Sequence, residues 1–369
     1  MTDQNAHAPL AAERRSHILS LLARDGVVRV SQLADELVGV TAVTLRRDLA
    51  RMEEEGQLAR VRGGAVPLRR SELSDGQDRP PVTPAITDSI AVLVPSLNYY
   101  WPGVVRGMEA EALSQGLRII LRGASYELQD ERPVLERLSS EGVSGLIVAP
   151  NPDSSHAPDV IRWLGDSPIP SVLVERDAIN PTSGEPLESV TTDHELGAIL
   201  AARHLAELGH ERVGLVISRH SPSSRKIARG WHLACEELGL ISDHSMESLL
   251  PDRGSPDFSS VVGGALDLAI QAGVTGVLVH SDPEAMAIVD LALNRGISVP
   301  GDLSVIAYDD EIAQLHSPAL TAVSPPRAAV GRAAIELLAR RIQNPQRPAH
   351  RVILSPGLVV RESTAPPRA

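Results

Sequence analysis

The chain has a single cysteine, Cys235, in 369 residues, which excludes an internal disulfide framework and a multi-cysteine zinc site. It lacks any run near the ~20 apolar residues that cross a bilayer, which excludes a helical membrane protein. Its opening MTDQNAHAPLAAERRSHIL puts polar residues where a secretory signal needs an apolar core, so the expected location is the cytoplasm. The phosphate-cradling G-x-x-x-x-G-K-[ST] and dinucleotide G-x-G-x-x-G loops are absent, as are G-x-S-x-G and H-E-x-x-H. The twelve histidines are scattered, and His204 and His210, six apart, cannot share one helical face. No catalytic residue, metal site or cofactor is expected, and an enzyme is not the expected class. Lysine is nearly absent, with Lys226 alone among 35 basic residues. Aromatics are also few, yet Tyr99, Tyr100 and Trp101 stand together.

What is present divides the chain. Apolar residues at 43% and charged residues at 22% describe a folded protein, and at ~150 residues per domain the length predicts two or three domains. Residues 1–70 hold eleven arginines against nine acidic residues, a net of +2, within a chain of net −12. A polyanion such as DNA would be repelled by the remainder and met only through this first part. Proline and small polar residues without apolar period mark 67–87 as a linker.

Before the linker lie three short helical patterns, the second capped by Ser31 and the third by Thr41. In the third, Leu45, Leu49 and Met52 fall within ~40° on a helical wheel, whereas Arg47 lies ~160° away, flanked by Thr44 and Arg51. Such a helix suits the major groove, where arginine bonds guanine and threonine meets a phosphate or a thymine methyl. QLARVRGGAV then predicts a β pair tipped by Gly63-Gly64, with Arg60 and Arg62 placed for phosphates. The stretch 13–66, above all TLRRDL and RGGAV, resembles the winged helix-turn-helix of DeoR-type repressors. That resemblance implies DNA contacts from Thr41, Thr44, Arg46 and Arg47, and the helix face and the wing tip add Arg51, Arg62 and Gly63 as candidates.

After the linker, short Val/Ile/Leu runs alternate with helical patterns, at 89–95, 117–123, 144–150, 169–175, 188–192, 212–218, 275–281 and 303–310. Such runs predict parallel strands covered on both faces, and the length suits two sheets. A last strand pair is expected within 350–364. SIAVLVPSLNYYWPGVVRGMEAEALSQGLRIIL, DHELGAILAARHLAELGHERVGLV and HSDPEAMAIVDLALNRGISVPGDLSVIAYDD, in that order, resemble the sensor of the Lac-repressor (LacI/GalR) family. The implied fold is α/β: a periplasmic-binding-protein-like domain at 88–364, built of two parallel-sheet subdomains joined by three crossovers. One subdomain would hold about 88–188 and 317–343, the other about 189–316 and 344–364. The family's own helix-turn-helix and hinge helix are missing, so the chain resembles a hybrid regulator with its winged helix at 1–66.

Ligands of such folds sit at the carboxyl ends of parallel strands. Asn98, Tyr100 and Trp101 follow the first strand; Asn can serve vicinal hydroxyls, and aromatic faces stack on sugars. Glu175 and Arg176 end another strand, with Arg176 the chosen contact. Asp282 and Asp309 match acidic ligand positions of the family, whereas Asp282 can equally cap the helix from Pro283. The family's commonest arginine position is here Ile227, leaving Arg225 as the nearest candidate. Trp231 and Cys235 share a helical face and are expected in the core. The expected protein is a dimeric repressor of operator DNA, controlled by a small sugar, polyol or nucleoside. The alternatives are a phosphorylated or protein co-effector, and a solute-binding protein.

Overall fold

A computed structural model of the chain describes residues 14–15, 17–19, 21–22, 28–30, 33, 37, 40–54, 58–61, 64–67, 88–124, 130–242 and 246–368. Two compact units result, Met1–Pro80 and Pro81–Ala369. In the first, strands β1 (Val28–Arg29), β2 (Leu58–Val61) and β3 (Gly64–Pro67) form a sheet in the order β1-β3-β2, antiparallel throughout. Gly64 already pairs with Val61, so it is the first residue of β3, not part of the turn. Leu45, Leu49 and Met52 of helix Ala42–Glu54 are buried with Ile18, Leu33 and Leu58, the stripe predicted from the period.

The second unit holds two six-stranded sheets. The first runs β14 (Arg351–Leu354), β8 (Glu188–Thr192), β7 (Ser171–Val174), β6 (Gly145–Val148), β4 (Asp88–Val94), β5 (Leu117–Gly123), all parallel. The second runs β10 (Glu247–Leu250), β9 (Val213–Ser218), β11 (Gly276–Val279), β12 (Ser304–Tyr308), β13 (Thr321–Ser324), β15 (Gly357–Val359), with only the β13–β15 pair antiparallel. Central strands are buried end to end because helices cover both faces, which is why they carry continuous apolar runs.

The expected terminal strand pair is not a hairpin. β14 joins β8 in the first sheet and β15 joins β13 in the second, so the chain crosses between subdomains here as well as after β8 and after β13. The expected subdomain limits shift accordingly. Hydrogen bonding puts all of 188–192 and 351–354 in the first subdomain and 321–324 in the second. Each subdomain also has a helix pair in backbone contact. A Cβ on Gly107 would lie 2.1 Å from the Ala328 carbonyl oxygen, joining helices Trp101–Ser114 and Arg327–Gln343. One on Gly230 would lie 2.2 Å from that of Glu195, joining Ser224–Leu238 to His194–Glu207. Trp231 and Cys235 are buried between that second pair and its sheet, and burial pushes the Cys235 thiol up to about 11.

Candidate DNA-binding surface and ligand cleft

Thr41 caps helix Ala42–Glu54: its hydroxyl accepts the Thr44 backbone N–H at 3.3 Å and lies 2.9 Å from the Thr44 hydroxyl. Its hydroxyl therefore serves the helix end first. Arg47 and Arg51 are exposed on the face opposite the buried stripe. Between them Asp48 turns inward and meets Arg14 at 2.8 Å, which fixes the helix against the first helical residues. The expected contacts from Arg62, Gly63 and the Arg46 side chain lie outside the described residues.

In the second unit a cleft of about 1000 Å³ opens at the carboxyl ends of both sheets. The turn after β4 contributes Pro95 to Trp101, and β7 contributes Glu175 and Arg176. From the other subdomain come Ser218, His220–Ser223, Asp252, His280, Ser281, Glu284 and Asp309, with His194 from a crossover. Tyr100, Glu175 and Asp309 all have positive φ, at 63°, 55° and 96°. Non-glycine residues held there mark sites where the surroundings override local preference, and three of them line one cleft.

Glu175 is a structural anchor. Its carboxylate accepts the Tyr100 hydroxyl, the Thr192 backbone N–H at 2.9 Å and the Thr192 hydroxyl at 2.7 Å, and faces His194 Nε2 at 3.5 Å. Burial pushes this carboxyl up, but the His194, Thr192 and Tyr100 contacts outweigh it and hold the group at about 2. His194 Nδ1 lies 3.1 Å from the Tyr308 hydroxyl, carrying the network from the first subdomain through the crossover into the second.

The second wall is different. Asp309 is 5% exposed, and His280 Nε2 stands 3.9 Å from its carboxylate. Burial pushes Asp309 up to about 6, against the pull of His194, Arg327 and, more weakly, the Tyr99 hydroxyl. His280 is 5% exposed, and burial depresses it to about 4, so its imidazole is neutral near pH 7. Its Nδ1 is buried without a hydrogen-bond partner, as is the Tyr99 hydroxyl opposite. Burial, then Asp309 and Asp282, raise the Tyr99 phenol far above its ordinary range.

Other expected contacts take structural roles. Asp282 is fully buried, and its carboxylate accepts the backbone N–H groups of Asp310, Glu311, Ile312 and Ala313 at 2.7–3.2 Å. It pins the loop after β12, and Ser281, with Glu284, caps the helix instead. Trp101 is 2% exposed and packs with Ile90, Val104 and Met108, so its indole faces the core, not a ligand. Arg225 is not among the lining residues; it reaches across to Asp153 at 3.1 Å, beside Lys226 to Asp177 at 2.6 Å. Asn98 is exposed in the cleft, and Arg176 donates to the carbonyls of Pro150 and Glu175. Tyr99 and His280, which the sequence reading did not choose, share with Asp309 the signal of following a strand end.

Among the described residues no helix is long and apolar enough to cross a membrane, and no cluster of three metal-ligating groups occurs. Residues 14–70 match the DeoR-like helix-turn-helix domain and residues 202–364 the periplasmic binding protein-like domain. The HTH-type transcriptional regulator DegA of Bacillus subtilis (strain 168) is 28% identical over 283 residues, 76% of this chain and 82% of that protein. A LacI family regulator from Enterococcus faecium, solved with bound ribose, is 28% identical with a TM-score of 0.62, over 75% of this chain and 99% of that one. The transcriptional regulator CelR in complex with cellobiose has the same fold at 21% identity, with a TM-score of 0.64 over 96% of this chain and 99% of its own. The chain thus carries a DeoR-like helix-turn-helix domain ahead of a periplasmic-binding-protein-like domain, and the proteins it is similar to are transcriptional regulators, the LacI family among them.

Proposed function

We propose that the protein is a homodimeric repressor whose helix Ala42–Glu54 reads operator DNA and whose cleft binds a small sugar, polyol or nucleoside. The observation that carries this reading is the polar cleft at the carboxyl ends of both sheets, walled by both subdomains. A ligand touching both walls favours the closed form, because only that form supplies both sets of contacts. The ribose held by the Enterococcus faecium regulator supports a sugar-like effector. The homodimer follows from the DNA side, since helix-turn-helix proteins commonly read paired half-sites as dimers.

A thermal-shift screen against sugars, sugar phosphates, polyols and nucleosides tests the cleft. A true effector at 100 times its Kd adds ~2.7 kcal/mol to the native state; a screen without any shift sinks the reading. On operator duplexes selected from random sequence, Arg47→Ala should cost ~1–3 kcal/mol of binding and flatten base preference. Unchanged affinity would remove Arg47 from the DNA surface.

A further inference from the structure

Among the described residues lining the cleft, buried side-chain polar atoms without a hydrogen-bond partner occur at one place. Glu175 is saturated by Tyr100, Thr192 and His194, and Glu284 is bonded to Ser281. Asp252 meets His220 at 3.0 Å. By contrast the Tyr99 hydroxyl and His280 Nδ1 are buried without partners, and the buried Asp309 carboxylate stands beside them. Buried polar groups left in this state cost stability unless something bonds them. The three also straddle the cleft, Tyr99 from the first subdomain and the others from the second.

We propose that Tyr99, His280 and Asp309 form the recognition point of the cleft and select an uncharged vicinal diol over any sugar bearing a phosphate or carboxylate. This rests on the reading that the cleft holds the effector. A carboxylate accepts two hydroxyl hydrogens of adjacent carbons, while the phenol and the neutral imidazole each can donate or accept towards a third oxygen. An anionic group has no such welcome. Arg176, the one arginine among the described lining residues, donates to two carbonyl oxygens. Behind the wall, Arg327 donates to the carbonyls of Asp309 and Asp310 and pairs with Glu311 at 3.0 Å. Four carboxylates (Glu175, Asp252, Glu284 and Asp309) face the space an anion would enter.

Calorimetry on the full chain tests this with ribose, glucose and cellobiose, set against ribose 5-phosphate, glucose 6-phosphate and gluconate. At least one neutral sugar should bind, with its anionic counterpart at least about tenfold weaker. Tyr99→Phe and His280→Gln should each weaken that sugar about 2- to 12-fold, and Asp309→Asn about 10- to 150-fold. Circular dichroism and operator binding establish that each variant is folded. Equal or tighter binding of the anionic member overturns the proposal and leaves the cleft as the effector site. So does parental affinity in both Tyr99→Phe and His280→Gln. If no sugar of either kind binds, the cleft reading itself fails and this selection fails with it.

Discussion

Glu175 and Asp309 occupy equivalent places in the two subdomains. Each ends a parallel strand, each is buried, and each has a positive φ. Their chemistry is opposite. Glu175 is gripped by four donor groups and held at about 2, whereas burial pushes Asp309 up to about 6, more than His194, Arg327 and Tyr99 offset. One carboxylate has been spent on joining the subdomains, and the other is held ready for a visitor. Position at a strand end brings an acid to the cleft; what its neighbours donate decides whether it remains available.

The largest effect expected from this contrast is on the Glu175 side. Glu175→Ala would strand the Tyr100 hydroxyl, the Thr192 N–H and hydroxyl, and His194, all in a dry setting. Breaking a buried charged network in this way costs about 3–5 kcal/mol, measurable by urea unfolding at pH 7.5. A milder Glu175→Gln adds a pH signature. Because the folded carboxyl titrates below its usual 4.5, its contribution to stability is complete above that pH. The gap between parent and variant should therefore shrink as pH falls from about 4.5 towards 2. A gap independent of pH would mean that ionisation of Glu175 plays no part.

Asp309→Asn should act the other way. With a folded carboxyl raised from 3.8 to about 6, the folded state binds the proton more tightly than the unfolded chain, so ionisation at neutral pH destabilises the fold. The amide removes that burden, and the variant should be more stable than the parent by about 1–3 kcal/mol at pH 7.5. The advantage should disappear as pH falls from about 6 towards 3.8. A variant less stable than the parent at pH 7.5 would show that Asp309 is another anchor, and the contrast would collapse.

The smallest effect concerns the cleft mouth. Arg225–Asp153 and Lys226–Asp177 bridge the subdomains at exposed positions. Exposed pairs are worth about 0.2–1 kcal/mol each and weaken with salt. Arg225→Ala combined with Lys226→Ala should make closure less favourable by that order, and effector affinity should lose part of its salt dependence. Unaltered salt dependence would show that the pairs do not contribute to closure.

Much of the architecture was legible because fully buried strands must be apolar along their whole length. LIV at 146–148 and VLV at 277–279 could scarcely sit elsewhere. The edge strand β10, half exposed, lacks that run and was missed, as was the short β13. Nothing local in 350–364 tells whether its two strands pair with each other or with separate sheets; their partners, β8 and β13, lie far back in the chain. The same holds for the site. Strand ends place Asn98, Tyr100, Arg176 and Asp309 along the cleft, but availability is settled at a distance. Asp282 is used up by amides 28–31 residues later, and Glu175 by a tyrosine 75 residues earlier. Trp101 also follows a strand end, yet its indole packs with Ile90, Val104 and Met108.

The central claim is that the Asp309 carboxylate serves an effector and not the fold. It is tested most directly by titrating the sugar found in the screen into parent and Asp309→Asn protein at pH 7.5. The variant should bind about 10- to 150-fold more weakly, the worth of a hydrogen bond to a charged group, while its operator affinity equals that of the parent. Parental sugar affinity in Asp309→Asn, with the fold intact, would contradict the account.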